Sequence, residues 1–335
     1  MAKLYTAEGW VNWDYILSQP ASIISVVGAR GVGKTYGLLR KLVDEGKKFI
    51  YLRRLKSQLD QCSKPEGNPF GAINRDLETD IRPFPSGGLV TFRNGDKAAP
   101  VIAAGVALSV VANIRGVDFS DYDYIVFDEF IASIGEHPIK NEFAAFLNFY
   151  ETVNRNRELS GMAAVKCIML GNANTLINPY FASWHFMQTA IKMIRGNQMV
   201  WRSQDQSRMV IMLLSSPISE KKRETVLYQN ANTDFISMAL DNSFRTDETK
   251  IRSEPLREYN HIVSVGEIGI YRHKSERKYF VCSTQADPYY DAFGIGLKMF
   301  QQDFYMLRVH YMVSKNVWFE SFELEVIFRE LFGLS

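Results

Sequence analysis

The chain has 335 residues, of which 46% are hydrophobic, 13% aromatic and 23% charged, with a formal net charge of +2. That composition excludes a disordered or fibrous protein and leaves room for one large domain and a smaller companion, each burying its own core. So small a charge neither demonstrates nor excludes a nucleic-acid partner, because a local basic lining is enough to grip a phosphate backbone.

The opening residues MAKLYTAEGW show no apolar stretch behind a basic start, which predicts no secretory signal and a cytoplasmic location. Ser22 to Val27 (SIISVV) is a β-branched run ending at glycine, followed by a helical stretch from Lys34 to Glu45 and the strand Phe49 to Leu52, together a βαβ unit. The apolar run Val101 to Ala112 is too short to cross a bilayer, contains Gly105 and Ser109, and reads as buried strand; no membrane partner is expected. Tyr124 to Phe127 and Val165 to Leu170 are continuous apolar strands of the kind a parallel sheet covers on both faces. Between them Phe143, Phe146, Leu147, Tyr150 and Val153 keep helical spacing, in a helix running from near Asn141 up to Arg157.

From Met199 the chain turns polar, and residues 199–230 are expected to form a linker or lid. Beyond it, His261 to Tyr271 and Lys278 to Ser283 read as a β-hairpin turning at His273, Lys274, Ser275 and Glu276, and the last stretch to Leu331 as helix. The expected division is therefore an α/β domain over 1–198, the linker, and a smaller α+β domain over 231–335. Three widely spaced cysteines offer neither a disulfide framework nor a CxxC pair, and five scattered histidines offer no zinc spacing.

Chemistry concentrates in two motifs. Gly28-Ala29-Arg30-Gly31-Val32-Gly33-Lys34-Thr35 fits G-x-x-x-x-G-K-[ST] between a strand and a helix. In such a loop the glycines let backbone N–H groups wrap phosphates, Lys34 reaches the β and γ oxygens, and the Thr35 hydroxyl binds magnesium, so ATP and Mg are the expected ligands. The second motif is Tyr124 to Glu129, four apolar strand residues running into two carboxylates. Asp128 is expected to hold magnesium and Glu129 to polarise the water that attacks the γ-phosphate. A guanine-reading NKxD is absent, and the adjacent glutamate favours hydrolysis by a motor-type ATPase over a small-molecule kinase.

Further candidates each have a plainer reading. Asn172 follows the strand Val165 to Leu170, in Gly171-Asn172-Ala173-Asn174, and is a γ-phosphate sensor candidate, or a turn former. Arg155 and Arg157 at the helix end, and Arg115 before the Asp128 strand, are candidates for an arginine acting in trans; they equally suit a helix dipole or a charged surface. Arg53, Arg54 and Lys56 after the second strand, and Arg272, Lys274 and Lys278 around the basic turn, are DNA-contact candidates, with Tyr271 and Tyr279 placed to stack bases.

The ordered set VVGARGVGKT (Val26 to Thr35), FIYLRR (Phe49 to Arg54), IVFDEFI (Ile125 to Ile131), ETVNRNRE (Glu151 to Glu158) and GNANTLINPYF (Gly171 to Phe181) resembles the DNA-encapsidation ATPases of small podophages of the phi-twenty-nine type, relatives of the large terminase motors. The resemblance covers about the first 180 residues. It implies a P-loop ATPase domain of the additional-strand conserved-glutamate class, assembled as a homo-oligomeric ring, a pentamer, on the portal of an empty capsid. The ring would pump double-stranded DNA inward in the host cytoplasm, with Arg155 acting in trans, and the isolated protein would be a monomer. It also implies an RNase H-like C-terminal domain; with only Glu267 standing out on the hairpin as an acidic ligand, no nuclease activity is expected. Two other readings stay open at this stage: a translocase or helicase on free DNA, and an ATP-dependent assembly switch with little turnover.

Overall fold

The computed structural model describes residues 4–114, 116–133, 136–172, 176, 178–214, 216–223, 225–226 and 250–334. They fall into two compact units, the larger drawn from segments 1–131, 141–174 and 193–243 and the smaller from 132–140, 175–192 and 244–335.

The larger unit is built on a nine-stranded sheet: β1 (Ile23–Gly28), β2 (Phe49–Arg53), β3 (Ile81–Ser86), β4 (Leu89–Asn94), β5 (Val101–Ala107), β6 (Tyr124–Asp128), β7 (Lys166–Asn172), β8 (Val200–Arg202) and β9 (Arg208–Leu213), in the order β3-β4-β5-β2-β6-β7-β1-β9-β8. The six strands from β5 to β9 run parallel, and antiparallel strands finish both edges. One edge, β3, carries Pro83 and Pro85; the other, β8, is three residues long. Strand β7 is inserted between β1 and β6, the arrangement that defines the additional-strand class.

Helices α1 (Trp13–Leu17), α2 (Lys34–Asp44), α3 (Lys56–Cys62), α4 (Gly71–Leu77) and α5 (Glu142–Asn154) also belong to this unit. Leu38, Leu39 and Leu42 of α2 sit fully buried in one cluster with Ile24 and Val26 of β1 and with Ile168 of β7. Aromatic stacking of Phe146 on Phe127, ring centroids 5.8 Å apart, seats α5 on β6.

Three expectations need correction here. Residues 199–213 are not linker: Met209 to Leu213 are at most 3% exposed, and β9 pairs with β1 residue for residue. MVIML is a doubly covered strand that the Ser- and Lys-rich run after it obscures. The strand in Val101–Ala112 stops at Ala107, and Leu108–Ile114 coils as 3-10 turns. There Ser109 donates its N–H to the Arg54 carbonyl and accepts from the Lys56 N–H, which draws the chain off the sheet. Helix α5 ends at Asn154, because Arg155 takes φ 44°; a left-handed residue cannot continue a right-handed helix.

The smaller unit holds a mixed sheet of β10 (Tyr259–Val265), β11 (Ile268–His273), β12 (Tyr279–Cys282), β13 (Tyr289–Tyr290) and β14 (Val317–Phe319), in the order β13-β10-β11-β12-β14. Strands β10, β11 and β12 form an antiparallel meander, while β13 and β14 join its edges parallel. Two expectations change: His261 to Tyr271 is two strands, folded back at Gly266 with φ 54°, and the terminal stretch contains β14. Remaining helices are α6 (Pro179–Ser183), α7 (Met187–Arg195), α8 (Pro217–Arg223, in the larger unit), α9 (Gly294–Asp303), α10 (Tyr305–Val309) and α11 (Phe322–Leu331). Val263, Ile270, Val281, Phe300, Phe319 and Phe328, all fully buried, form the second core. The segment 231–249 of the expected C-terminal domain lies outside the described residues.

Candidate nucleotide site

Strand β1 delivers Gly28 to the carboxyl edge of the sheet, and the chain then loops through Gly31 at φ 68° and Gly33 at φ 88° into α2. Both glycines occupy the left-handed region, which lets the loop turn its N–H groups inward. The loop is pinned from outside by a segment the motif says nothing about. Val11 donates its N–H to the Val32 carbonyl at 3.3 Å, Trp13 donates Nε1–H to the Gly33 carbonyl at 3.3 Å, and a Cβ on Gly33 would lie 3.2 Å from the Trp10 ring. On its other side, Lys222 of α8 donates to the Arg30 carbonyl at 3.3 Å, and its Nζ stands where a Cβ on Gly31 would go. Burial lowers the Lys222 pKa.

Lys34 is buried. Its Nζ donates to the carbonyls of Gly28 at 2.8 Å and Ala29 at 2.7 Å, and to Asn172 Oδ1 at 3.4 Å. Burial pulls its pKa down to about 8, against the opposing pull of Asp128. Asn172 ends β7 in register with Gly28, so the inserted strand places it beside the loop. The Thr35 hydroxyl donates to Asp128 Oδ1 at 2.8 Å, which joins the two motifs directly.

Asp128 is 5% exposed at the tip of β6. Its Oδ2 accepts from the Tyr51 hydroxyl at 2.8 Å and from Arg53 Nη1 at 3.0 Å. Arg53 Nη2 donates to Glu129 Oε2 at 2.5 Å. Tyr51 is wholly enclosed, and burial, reinforced by Asp128, raises its pKa well above the usual phenol value, so it stays a neutral donor. Arg53, expected to contact DNA, is instead turned onto the carboxylates. Arg54, the second such candidate, is 2% exposed and paired with Glu142 of α5 through Nε to Oε1 and Nη2 to Oε2, both 2.8 Å. A guanidinium so enclosed cannot reach a phosphate backbone. Lys56, by contrast, is half-exposed and pairs with Asp60 one turn on.

The arginine candidates separate clearly. Arg155 caps α5 with its side chain half-exposed, near Asp118 at 3.6 Å and the Val117 carbonyl at 3.3 Å. Arg157 is mostly buried, bonded to the Tyr122 carbonyl at 2.8 Å and ion-paired with Asp123, which corrects the expectation that it could reach a neighbouring subunit. Arg115 lies outside the described residues.

In the smaller unit Arg272 and Lys274 are exposed, and Lys274 bonds the Arg257 carbonyl at 2.7 Å. Lys278 is enclosed between Glu254 at 3.5 Å and Glu276 at 3.3 Å, over the rings of Tyr259 and Trp318, and Tyr271 is buried with its hydroxyl on the Thr284 carbonyl. Neither is free for DNA, because Lys278 lies over two aromatic rings just before β12 and Tyr271 of β11 packs against His261, neighbours that sequence spacing does not reveal. Among the described residues the cysteines are free and buried, no group of three His, Cys, Asp or Glu side chains forms a metal site, and no helix is long and apolar enough to cross a membrane.

Residues 7–312 match the podovirus DNA encapsidation protein (Gp16) family. The chain belongs to that family. The DNA packaging protein of Bacillus phage phi29 is 29% identical over 250 residues, covering 72% of this chain and 66% of that protein, just under two thirds of the relative's length. The corresponding protein of Bacillus phage B103 is 29% identical over 243 residues, covering 69% and 67%. Two solved structures share the fold over nearly the whole chain. The Phi-28 gp11 DNA packaging motor has a TM-score of 0.64 at 19% identity, covering 98% of this chain and 99% of that one. The bacteriophage Phi-29 viral genome packaging motor assembly has a TM-score of 0.59 at 22% identity, covering 96% and 98%.

Proposed function

We propose that this chain is the ATPase of a phage DNA-packaging motor, coupling ATP hydrolysis to movement of double-stranded DNA into a preformed capsid. The observation that carries the reading is the meeting of Thr35 Oγ1 and Asp128 Oδ1 at 2.8 Å, with Lys34 buried beside them and Glu129 at the same strand tip. These are hard oxygen donors on a hydroxyl and a carboxylate, the ligand chemistry magnesium takes. Bound there with ATP, the ion would offset charge on the β- and γ-phosphates.

Each side chain has a separable role. Loop N–H groups and Lys34 hold the phosphates, Asn172 contacts the γ-phosphate from the β7 tip, and Glu129 accepts the proton of the attacking water. The water oxygen bonds the γ-phosphorus as the bond to the bridging oxygen breaks, and ADP leaves with that electron pair. Arg155 completes the site of an adjacent copy in a homo-oligomeric ring on the portal, in the host cytoplasm. The smaller unit contacts DNA through Arg272 and Lys274 and cleaves nothing.

Steady-state hydrolysis with magnesium, with and without duplex DNA, tests the reading. Glu129→Gln abolishes turnover while ATP binding persists, and an unchanged rate removes Glu129 from the mechanism. Stimulation by duplex DNA without strand separation separates packaging from a helicase.

A further inference from the structure

We propose that Lys222 of α8 is a nucleotide-binding residue, its ammonium donating to the phosphate chain of ATP from outside the two motifs. The proposal rests on the ATPase reading above and gives that site a second, separately anchored lysine.

Strand order brings α8 to the loop. β9 lies beside β1 and ends level with it, Leu213 opposite Gly28, so the chain leaving β9 emerges at the same sheet edge as the phosphate loop. Pro217 and Ile218 then seat the helix against the segment that pins the loop: a Cβ on Gly9 would lie 2.8 Å from Pro217 Cβ and 3.5 Å from Ile218 Cγ1. Ile218 and Ser219 are buried, so the start of α8 is fixed. Lys222, one turn beyond Ile218, reaches the loop from an anchored base.

Its surroundings there are those of a cation that no acid answers. Lys222 is half-buried, its Nζ fills the space a Cβ on Gly31 would need, and it donates to the Arg30 carbonyl at 3.3 Å. No carboxylate among the described residues pairs with it, and burial, unopposed by any acid, lowers its pKa. A lysine that serves solubility carries its ammonium out to water; this one lays it on a loop that already holds Arg30 and Lys34. The Lys34 pKa, lowered chiefly by burial and supported by Asp128, is pushed down again by the charges of Arg30 and Lys222. Both carboxylates at the β6 tip, meanwhile, are turned to Arg53.

Cations gathered at one loop in a partly desolvated place repel one another, and a polyanion between them converts that repulsion into attraction. A phosphate oxygen entering the loop can replace the Arg30 carbonyl, a neutral acceptor, as the partner of Lys222 and form a charge-assisted bond. The flexible four-carbon stem gives the ammonium its reach.

Binding of a non-hydrolysable ATP analogue with magnesium tests the assignment. Lys222→Met weakens it by about 10-fold, the scale of one charge-assisted hydrogen bond at a half-buried position. Lys221→Met, which removes the charge of the exposed neighbour on the same helix, stays within about twofold of the parent. A second measurement uses the unaltered protein and serves if the Lys222→Met protein fails to fold. Acetylation by acetic anhydride, read by peptide mass, is slowed about fivefold or more at Lys222 by the analogue and magnesium, and is unchanged at Lys221. Affinity within about twofold of the parent in Lys222→Met, an equal loss in Lys221→Met, or labelling slowed no more at Lys222 than at Lys221 would each overturn the proposal. Those outcomes leave the ATPase reading intact, whereas a parent protein that binds no analogue overturns both.

Discussion

Replacing Arg54 with methionine removes the guanidinium that pairs with the Glu142 carboxylate in the interior of the larger unit. The two side chains are 2% and 3% exposed and joined by two 2.8 Å hydrogen bonds, so solvent does little to screen the charge that remains. Removing one member of a buried pair costs about 3–5 kcal/mol, most of it the uncompensated charge. For a domain of this order, roughly 2–4 °C of melting temperature follow each kcal/mol, so the transition of the larger unit should fall by about 6–20 °C. Glu142→Leu should do the same. The double variant Arg54→Met/Glu142→Leu, with both charges gone and the volume kept, should recover most of the loss. Differential scanning calorimetry suits the measurement because two units can melt separately. Single variants within about 3 °C of the parent, or a double variant that loses the sum of the two, would refute the anchoring of β2 to α5 through this pair.

Other substitutions divide the arginines and glycines by role. Arg155→Ala should melt within about 2 °C of the parent yet lose hydrolysis, and mixing it with Glu129→Gln protein should restore activity at interfaces that combine one intact half of each; no recovery removes the trans role. Arg157→Ala should cost about 1–2 kcal/mol in urea unfolding, from the lost bond to the Tyr122 carbonyl. Gly171→Val should cost about 1–3 kcal/mol and cripple turnover, since even a Cβ would lie 2.9 Å from Phe130 and Ile131 beneath the Asn172 tip. Reversing Arg272 and Lys274 to glutamate should weaken duplex binding and shallow its salt dependence by about two units of slope, read by titration at several salt concentrations, while Lys278→Gln should leave DNA affinity unchanged.

The loop, helix and strand tip of the candidate site were legible because their signals are local. A β-branched run, a glycine pattern and a lysine specify loop and helix within fourteen residues, and YIVFDE specifies strand and carboxylates within six. Arg53 and Arg54 were visible as residues but not by role: adjacent where β2 ends, they reach different partners, one Asp128 and Glu129, the other Glu142, and those partners lie 75 to 88 positions away. Lys222 was hidden for the same reason, on a polar helix whose place over Gly31 only β9 determines. Strand β9 itself was missed because the Ser- and Lys-rich run after it masks a continuous apolar strand of the kind read at β6 and β7. Gly266 lay inside an apparently single strand, and only its left-handed φ marks the fold-back.

The proline-bearing strand at one margin of the large sheet has a consequence for assembly. Pro83 and Pro85 recur at the two-residue strand period, so β3 lacks amide hydrogens where another strand would need them. The opposite margin is too short to template much. Copies of this chain brought together along this sheet would therefore meet through side chains and not by backbone zippering, and contacts of that kind can be made and broken repeatedly.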